Sequence, residues 1–194
     1  YFELGRNEEA RKAYESALMR LPSSVDARIG LARLDGEAGK RDEAIAQLAS
    51  VLKTAPDNVL ALTSHAALCV NRAAPGDLEA AVAETDHALT IAPDDERALY
   101  VRGNALLASK NQTDAQQIFE RLGKTRPKSP LADYGLARVA AAKGDRLTAL
   151  TELRSALEKA KEQPGALNAS AVRADPAFHF LQADADFAQL LPAQ

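Results

Sequence analysis

A histidine and a cysteine stand four residues apart near the middle of the sequence, at His65 and Cys69. In an α-helix this spacing places both side chains on one face, where they could bind a metal ion such as zinc. A zinc site needs further ligands, and His87 and His179 are isolated in the sequence. A cysteine that faces a protein core behaves as a small hydrophobic residue. We therefore favour packing for this pair and predict no metal site and no cofactor.

The sequence contains no recognisable catalytic motif. A glycine-rich phosphate loop, a G-x-S-x-G turn and an H-E-x-x-H helix are all missing. Carboxylates are plentiful, as on any solvated helical surface, but nothing pairs two of them for acid-base work. The acidic run Asp94-Asp95-Glu96 is better explained as favourable charge at the start of a helix. We predict that the chain is not an enzyme.

Charge and composition argue against several other function classes. The 194 residues carry a net charge of -3, with basic and acidic residues interspersed, which argues against nucleic acid as a partner. No apolar run approaches the roughly 20 residues that span a bilayer, so we predict no direct membrane insertion. The single cysteine excludes an intramolecular disulfide but is compatible with either cytoplasm or bacterial periplasm, and the localisation stays open.

The elements that must position any site recur with a fixed period. Five alanines are separated by 34, 37, 34 and 34 residues, and four prolines by 34, 37 and 34. Gly39, Gly76 and Gly144 share this frame, with Lys110 where another glycine is expected. A period of this length indicates one supersecondary unit used repeatedly. The alanines are Ala10, Ala44, Ala81, Ala115 and Ala149, and the prolines are Pro22, Pro56, Pro93 and Pro127.

Each unit has the pattern of two amphipathic helices, the second ending before a proline. The second complete unit is three residues longer than the others, and we place the extra residues in a longer turn at Asn71–Gly76. The chain opens at Tyr1 in mid-repeat, so we expect it to be a portion of something longer. We predict an array over residues 1–163, divided into 1–24 (partial), 25–58, 59–95, 96–129 and 130–163.

Residues 164–194 depart from the repeat. Asp175-Pro176 has the pattern of a helix start, with aspartate as the N-cap and proline at the first helical position. Three of the five phenylalanines of the chain fall in this segment. Because a terminal repeat otherwise leaves an apolar face in water, we predict that these residues cap the array.

The recurring residues resemble those of the tetratricopeptide repeat family. Small residues at Ala32, Ala66, Gly103 and Ala137 match the first helix of its pattern, and the spaced alanines and prolines match the second. The absence of tryptophan is a departure from the pattern. The resemblance implies an all-α fold, a right-handed α-solenoid of antiparallel helix pairs, with about four and a half repeats plus capping helices. The terminal segment is similar to those that close such arrays in many bacterial proteins.

In this family the first helix of each pair lines the concave surface, so the resemblance implies a peptide-binding groove there. Tyr100 and Tyr134 are expected to be neighbours on adjacent repeats, and tyrosine and arginine are frequent binding anchors. Arginines outnumber acidic residues on this face, which favours a peptide with apolar and acidic groups. The family's clamp for a C-terminal carboxylate is incomplete, because Ile29, Ser64 and Val101 occupy three of its positions. The predicted groove residues are Ile29, Arg33, Leu60, Thr63, Arg97, Tyr100, Asn104, Leu131, Tyr134 and Arg138.

We interpret the chain as a non-catalytic protein-protein interaction module or scaffold that binds a protein or peptide in this groove, as in a bacterial adaptor or assembly factor. The alternative is a regulatory or substrate-docking segment of a larger enzyme or of a cell-envelope assembly protein. Nucleic-acid binding by a related helical repeat is disfavoured by the charge and the 34-residue period. The sequence does not specify the partner or the oligomeric state.

Overall fold

The computed structural model describes residues 7–163 and 167–191, and the regular structure within these ranges is entirely helical. The terminal segment holds α10 (Ala169–Ala174), a 3-10 helix (Pro176–Leu181) and α11 (Ala185–Leu190). Within the described ranges, we find no helix with both the length and the apolar character needed to cross a bilayer. The helices before the terminal segment are α1 (Asn7–Arg20), α2 (Val25–Glu37), α3 (Arg41–Thr54), α4 (Val59–Arg72), α5 (Asp77–Ile91), α6 (Glu96–Ala108), α7 (Gln112–Thr125), α8 (Pro130–Ala142) and α9 (Arg146–Glu162).

The first helix of every complete repeat begins in the same way. A polar residue two positions after the recurring proline caps the helix by accepting a hydrogen bond from a backbone N–H of its first turn. The acceptors are Ser24, Asn58, Asp95 and Ser129, at donor distances of 3.3, 2.9, 2.7 and 3.2 Å. Proline thus ends one helix, and the cap that follows starts the next.

Left-handed backbone conformations occur in the turns within the repeats. Gly39 and Gly144 have φ values of 86° and 73°, and Lys110 has a φ of 62°. Glycine adopts this region without strain, whereas a residue with a Cβ pays about 1 to 2 kcal/mol. Lys110 therefore occupies a backbone position that the frame reserves for glycine.

The three extra residues of the second complete repeat are shared among three elements. The turn Ala73–Gly76 has four residues where Ala38–Lys40 has three, so the predicted longer turn accounts for only part of the insertion. Helix α4 has 14 residues where α2 has 13, and α5 has 15 where α3 has 14. The insertion lengthens both helices as well as the turn.

The chain divides into two compact units, Tyr1–Ala108 and Ser109–Gln194. This division does not define the predicted repeat boundaries or the boundary at residue 163, which stay predictions. In the first unit, consecutive helices from α1 to α6 pack together, and α4 also packs against both α2 and α6. Gly30 is required there for close approach, because a Cβ at this position would lie 2.3 Å from the Tyr14 ring.

The second unit contains α7, α8, α9 and the terminal segment. Gly135 on α8 allows the fully buried Phe119 ring to pack directly against the helix. The 3-10 helix packs against α8, and α11 packs against α9. Phe178 and Leu181 are buried in this arrangement. The terminal segment therefore covers apolar surface of α8 and α9, which supports the predicted capping role.

Candidate functional site

His65 and Cys69 lie on α4, where they form a small polar cluster with Glu84 of α5. The His65 Nδ1 lies 2.9 Å from a Glu84 carboxylate oxygen and 3.7 Å from the Cys69 Sγ. These two hydrogen bonds, with Cys69 and then with Glu84, raise the pKa of His65 to about 10. Since one ring nitrogen faces both partners, the cluster lacks the relay in which each nitrogen serves a different group.

Cys69 also belongs to an apolar core cluster with Ile45, Ala66 and Ala81, and it is almost completely buried. This is the environment expected of a cysteine that packs as a small hydrophobic residue. Within residues 7–163 and 167–191, no three potential metal ligands lie close enough together to hold an ion.

Two of the predicted groove residues in the first unit are buried. Ile29 on α2 is 0% exposed and packs with Leu48 and Val51 of α3, and Thr63 on α4 is 1% exposed. These side chains leave no surface for a partner, because neighbouring helices cover the row of positions to which they belong. We therefore exclude both residues from the candidate site.

The other predicted residues of the first unit keep solvent exposure. Leu60 on α4 is 39% exposed, which is high for a large apolar side chain, and the other four residues are half-buried. They lie on α2, α4 and α6, which pack side by side within this unit. We refer to this set as the unit 1 face, and it consists of Arg33, Leu60, Arg97, Tyr100 and Asn104.

Arg97 is the electrostatically unusual member of the unit 1 face. Its Nε atom is buried and has no hydrogen-bond partner among the described residues. Burial, and then the like charge of Arg33, lower the pKa of Arg97 to about 10, although Asp95 and Glu37 act in the opposite direction. The Asp95 carboxylate already accepts the Ala98 N–H as the helix cap. A desolvated guanidinium thus faces this surface without a close counter-charge.

In the second unit, the terminal segment engages two predicted groove residues. The Tyr134 hydroxyl donates to an Asp175 carboxylate oxygen at 2.6 Å, and the Tyr134 ring packs on Phe178 with centroids 6.0 Å apart. The Arg138 Nε lies 3.2 Å from the same carboxylate. Tyr134 is only 7% exposed, so it is not the accessible anchor that the sequence predicted. Leu131 remains half-buried.

Sequence reasoning missed Asp175 as the partner of Tyr134 and Arg138. The Asp175-Pro176 pair was assigned to a helix start, which is correct because Asp175 accepts the Ala177 N–H at 2.9 Å. Its second carboxylate oxygen makes the contact with Tyr134. The predicted proximity of Tyr100 and Tyr134 concerns residues of different units and stays a prediction.

Recurring helix pairs with a proline-and-cap junction define a helical repeat protein with a period of 34 residues. The sequence model of the tetratricopeptide repeat matches residues 1–68 and 72–139, which together make up more than half of the chain. The chain therefore belongs to the tetratricopeptide repeat family, as its sequence predicted.

Solved structures of other proteins of this kind are similar to the chain. A thermophilic tetratricopeptide repeat protein of Thermus thermophilus has a TM-score of 0.76 and 21% identity, covering 85% of this chain and 89% of its own. MamA residues 41-end of Desulfovibrio magneticus RS-1 gives a TM-score of 0.63 and 18% identity, covering 84% and 90%. A tetratricopeptide repeat protein of Parabacteroides merdae ATCC 43184 gives 0.57 and 23%, covering 84% and 63%.

These identities are all below 25%, so the likeness establishes the fold alone, and it confirms the predicted all-α solenoid class. No curated protein matches the sequence significantly. Membership of the family supports a role as a protein-interaction module.

Proposed function

We propose that the unit 1 face binds a protein segment that presents an acidic group beside an apolar side chain. The observation that carries this proposal is the buried Arg97 guanidinium, whose Nε has no partner among the described residues. A buried donor without a partner costs about 1 to 3 kcal/mol. An incoming carboxylate would satisfy this donor and offset the repulsion from Arg33.

The apolar part of the proposed ligand follows from Leu60. It is 39% exposed on α4, and α4 packs against both the helix of Arg33 and the helix of Arg97. Tyr100 and Asn104 follow Arg97 along α6 and supply an aromatic ring and an amide. Interfaces commonly combine aromatic and arginine anchors with apolar contact in this way.

The terminal segment limits where the partner binds. Because Asp175 and Phe178 already occupy the Tyr134 and Arg138 positions of α8, the proposed partner engages α2, α4 and α6. Binding of an acidic protein segment by these helices fits the adaptor role expected from the sequence.

Site-specific photo-crosslinking tests the location of this face. We would place p-benzoylphenylalanine at Leu60 or at Met19, which is 79% exposed at the end of α1, and irradiate each variant in a lysate of the source organism. Covalent adducts with a discrete protein at Leu60 and not at Met19 are expected. Equal adduct patterns at both positions, or none at Leu60, would contradict the proposal.

A further inference from the structure

A pocket lies within the second unit between α7, α8 and α9, with a volume of about 310 Å³. This volume is at the lower end of the range for small ligand sites, which is suitable for one long side chain. We refer to it as the α8 pocket. Its principal lining residues are Glu120 of α7, Leu136, Val139 and Ala140 of α8, Lys143 of the following turn, and Glu152 of α9.

The α8 pocket is separate from the contacts of the terminal segment. Leu136 and Ala140 follow Tyr134 and Arg138 by two residues each. At 100° per residue, two positions turn the side chain to the opposite side of the helix. The pocket therefore lies on the side of α8 away from Asp175, and it contains no residue of the unit 1 face.

The floor of the pocket is apolar, because Val139 and Ala140 are buried and Leu136 is half-buried there. Such a floor suits hydrocarbon. Lysine and arginine side chains bury their aliphatic stems along apolar surface while the charged head reaches polar groups.

The rim of the pocket carries more carboxylates than ammonium groups. Glu120 and Glu152 each lie more than 4 Å from any lysine or arginine nitrogen of the described residues. Lys143, the one cation of the lining, donates its ammonium to the Gln116 side-chain oxygen at 2.6 Å. The same Gln116 donates to Glu120 at 2.8 Å. The cation of the rim is thus held by a neutral amide.

The electrostatics of Glu152 agree with this unbalanced rim. Burial, and then the nearby charge of Asp133, raise the pKa of Glu152, and Lys159 opposes them. Asp145, also in the lining, has a lowered pKa because Thr148 donates hydrogen bonds to it. A cation placed in the pocket would stabilise the ionised form of Glu152.

We propose that the α8 pocket binds a lysine or arginine side chain of a partner protein, with its stem on Leu136 and Val139 and its head at Glu120 and Glu152. The argument is charge complementarity combined with a concave apolar floor. The site is independent of the proposed function of the unit 1 face, and either can fail without the other.

A methyl-resolved NMR titration of the full chain tests the proposal. The probe is N-acetyl-arginine amide, and its neutral isostere N-acetyl-citrulline amide is the control. We expect saturable shifts of the Leu136 and Val139 methyl resonances with the arginine probe, at a dissociation constant on the order of 1 mM. The citrulline probe should bind at least about threefold more weakly, because it lacks the charge.

Variants identify the carboxylates. Glu152→Gln and Glu120→Gln should each weaken binding of the arginine probe about threefold or more. Glu158→Gln, an exposed residue of α9 paired with Lys161, should leave it unchanged. Equal shifts with both probes, unchanged affinity in both pocket variants, or no saturable shift up to roughly 20 mM probe, well above the expected constant, would overturn the proposal.

Discussion

Replacing Arg97 by methionine is expected to stabilise the free protein. The Nε of Arg97 is buried without a partner among the described residues, and Arg33 places a second positive charge nearby. Methionine keeps an unbranched apolar stem that adapts to irregular space, and it removes both the charge and the donors. The change therefore removes a cost that the isolated protein bears.

The magnitude follows from the unmade hydrogen bond. A buried donor without a partner costs about 1 to 3 kcal/mol, and the attraction of Arg97 to Asp95 and Glu37 offsets part of this. We expect a net gain of about 1 kcal/mol in the free energy of unfolding, or about 2 to 4 °C in Tm for a chain of this size. Because the pKa of Arg97 in the folded state is about 10, the cost is present at neutral pH and is relieved only as the pH rises above that value.

Urea and thermal unfolding followed by circular dichroism at neutral pH would measure this gain. The matched control is Arg154→Met, because Arg154 is exposed on α9, and its effect should stay within about 0.5 kcal/mol. If Arg97→Met unfolds at lower urea concentration than the wild type, the guanidinium is stabilising in the free protein. The inference that it awaits a partner would then be wrong.

Three further predictions concern packing and titration. Gly135→Ala should lower the free energy of unfolding by about 1 to 3 kcal/mol, because its Cβ would lie 2.3 Å from the Phe119 ring. Gly123→Ala, whose nearest contact would be at 3.6 Å, should be neutral or stabilising by up to about 1 kcal/mol, and urea unfolding compares the two. Phe178→Ala should cost about 3 to 5 kcal/mol in the same assay, since the ring is fully buried; a loss below about 1 kcal/mol would contradict its capping role. For His65, the raised pKa stabilises the fold fully below its unfolded value of about 6.5, and this contribution is lost as the pH rises through about 10. The stability difference between wild type and His65→Gln should therefore shrink between pH 6 and pH 10, and a constant difference would refute this reasoning.

Local sequence signals predicted the helical repeat well. The recurring prolines indicated where second helices end, and the structure shows that the polar residue two positions later caps the next helix. The frame also indicated that Lys110 occupies a glycine position, and its φ of 62° agrees. These features depend on interactions within a few residues, which a single sequence contains.

The composition of the binding face was harder to predict. Helical spacing places Ile29 and Thr63 in rows with exposed residues, but it does not show how closely the neighbouring helices cover each row. The contact between Tyr134 and Asp175 joins residues 41 positions apart and depends on how the terminal segment folds back. The missing partner of Arg97 likewise becomes visible only once α2 and α6 are placed beside α4.

The affinity of the crosslinked partner for three forms of the protein, measured by isothermal titration calorimetry, tests the central claim most directly. The forms are the wild type, Arg97→Gln and the control Arg154→Gln, each shown by circular dichroism to be folded. Loss of a charge-assisted hydrogen bond worth about 1.5 to 3 kcal/mol should weaken binding by Arg97→Gln roughly 10- to 150-fold, and the control should match the wild type. Equal dissociation constants for all three forms would contradict the assignment of the unit 1 face as the site that binds an acidic protein segment.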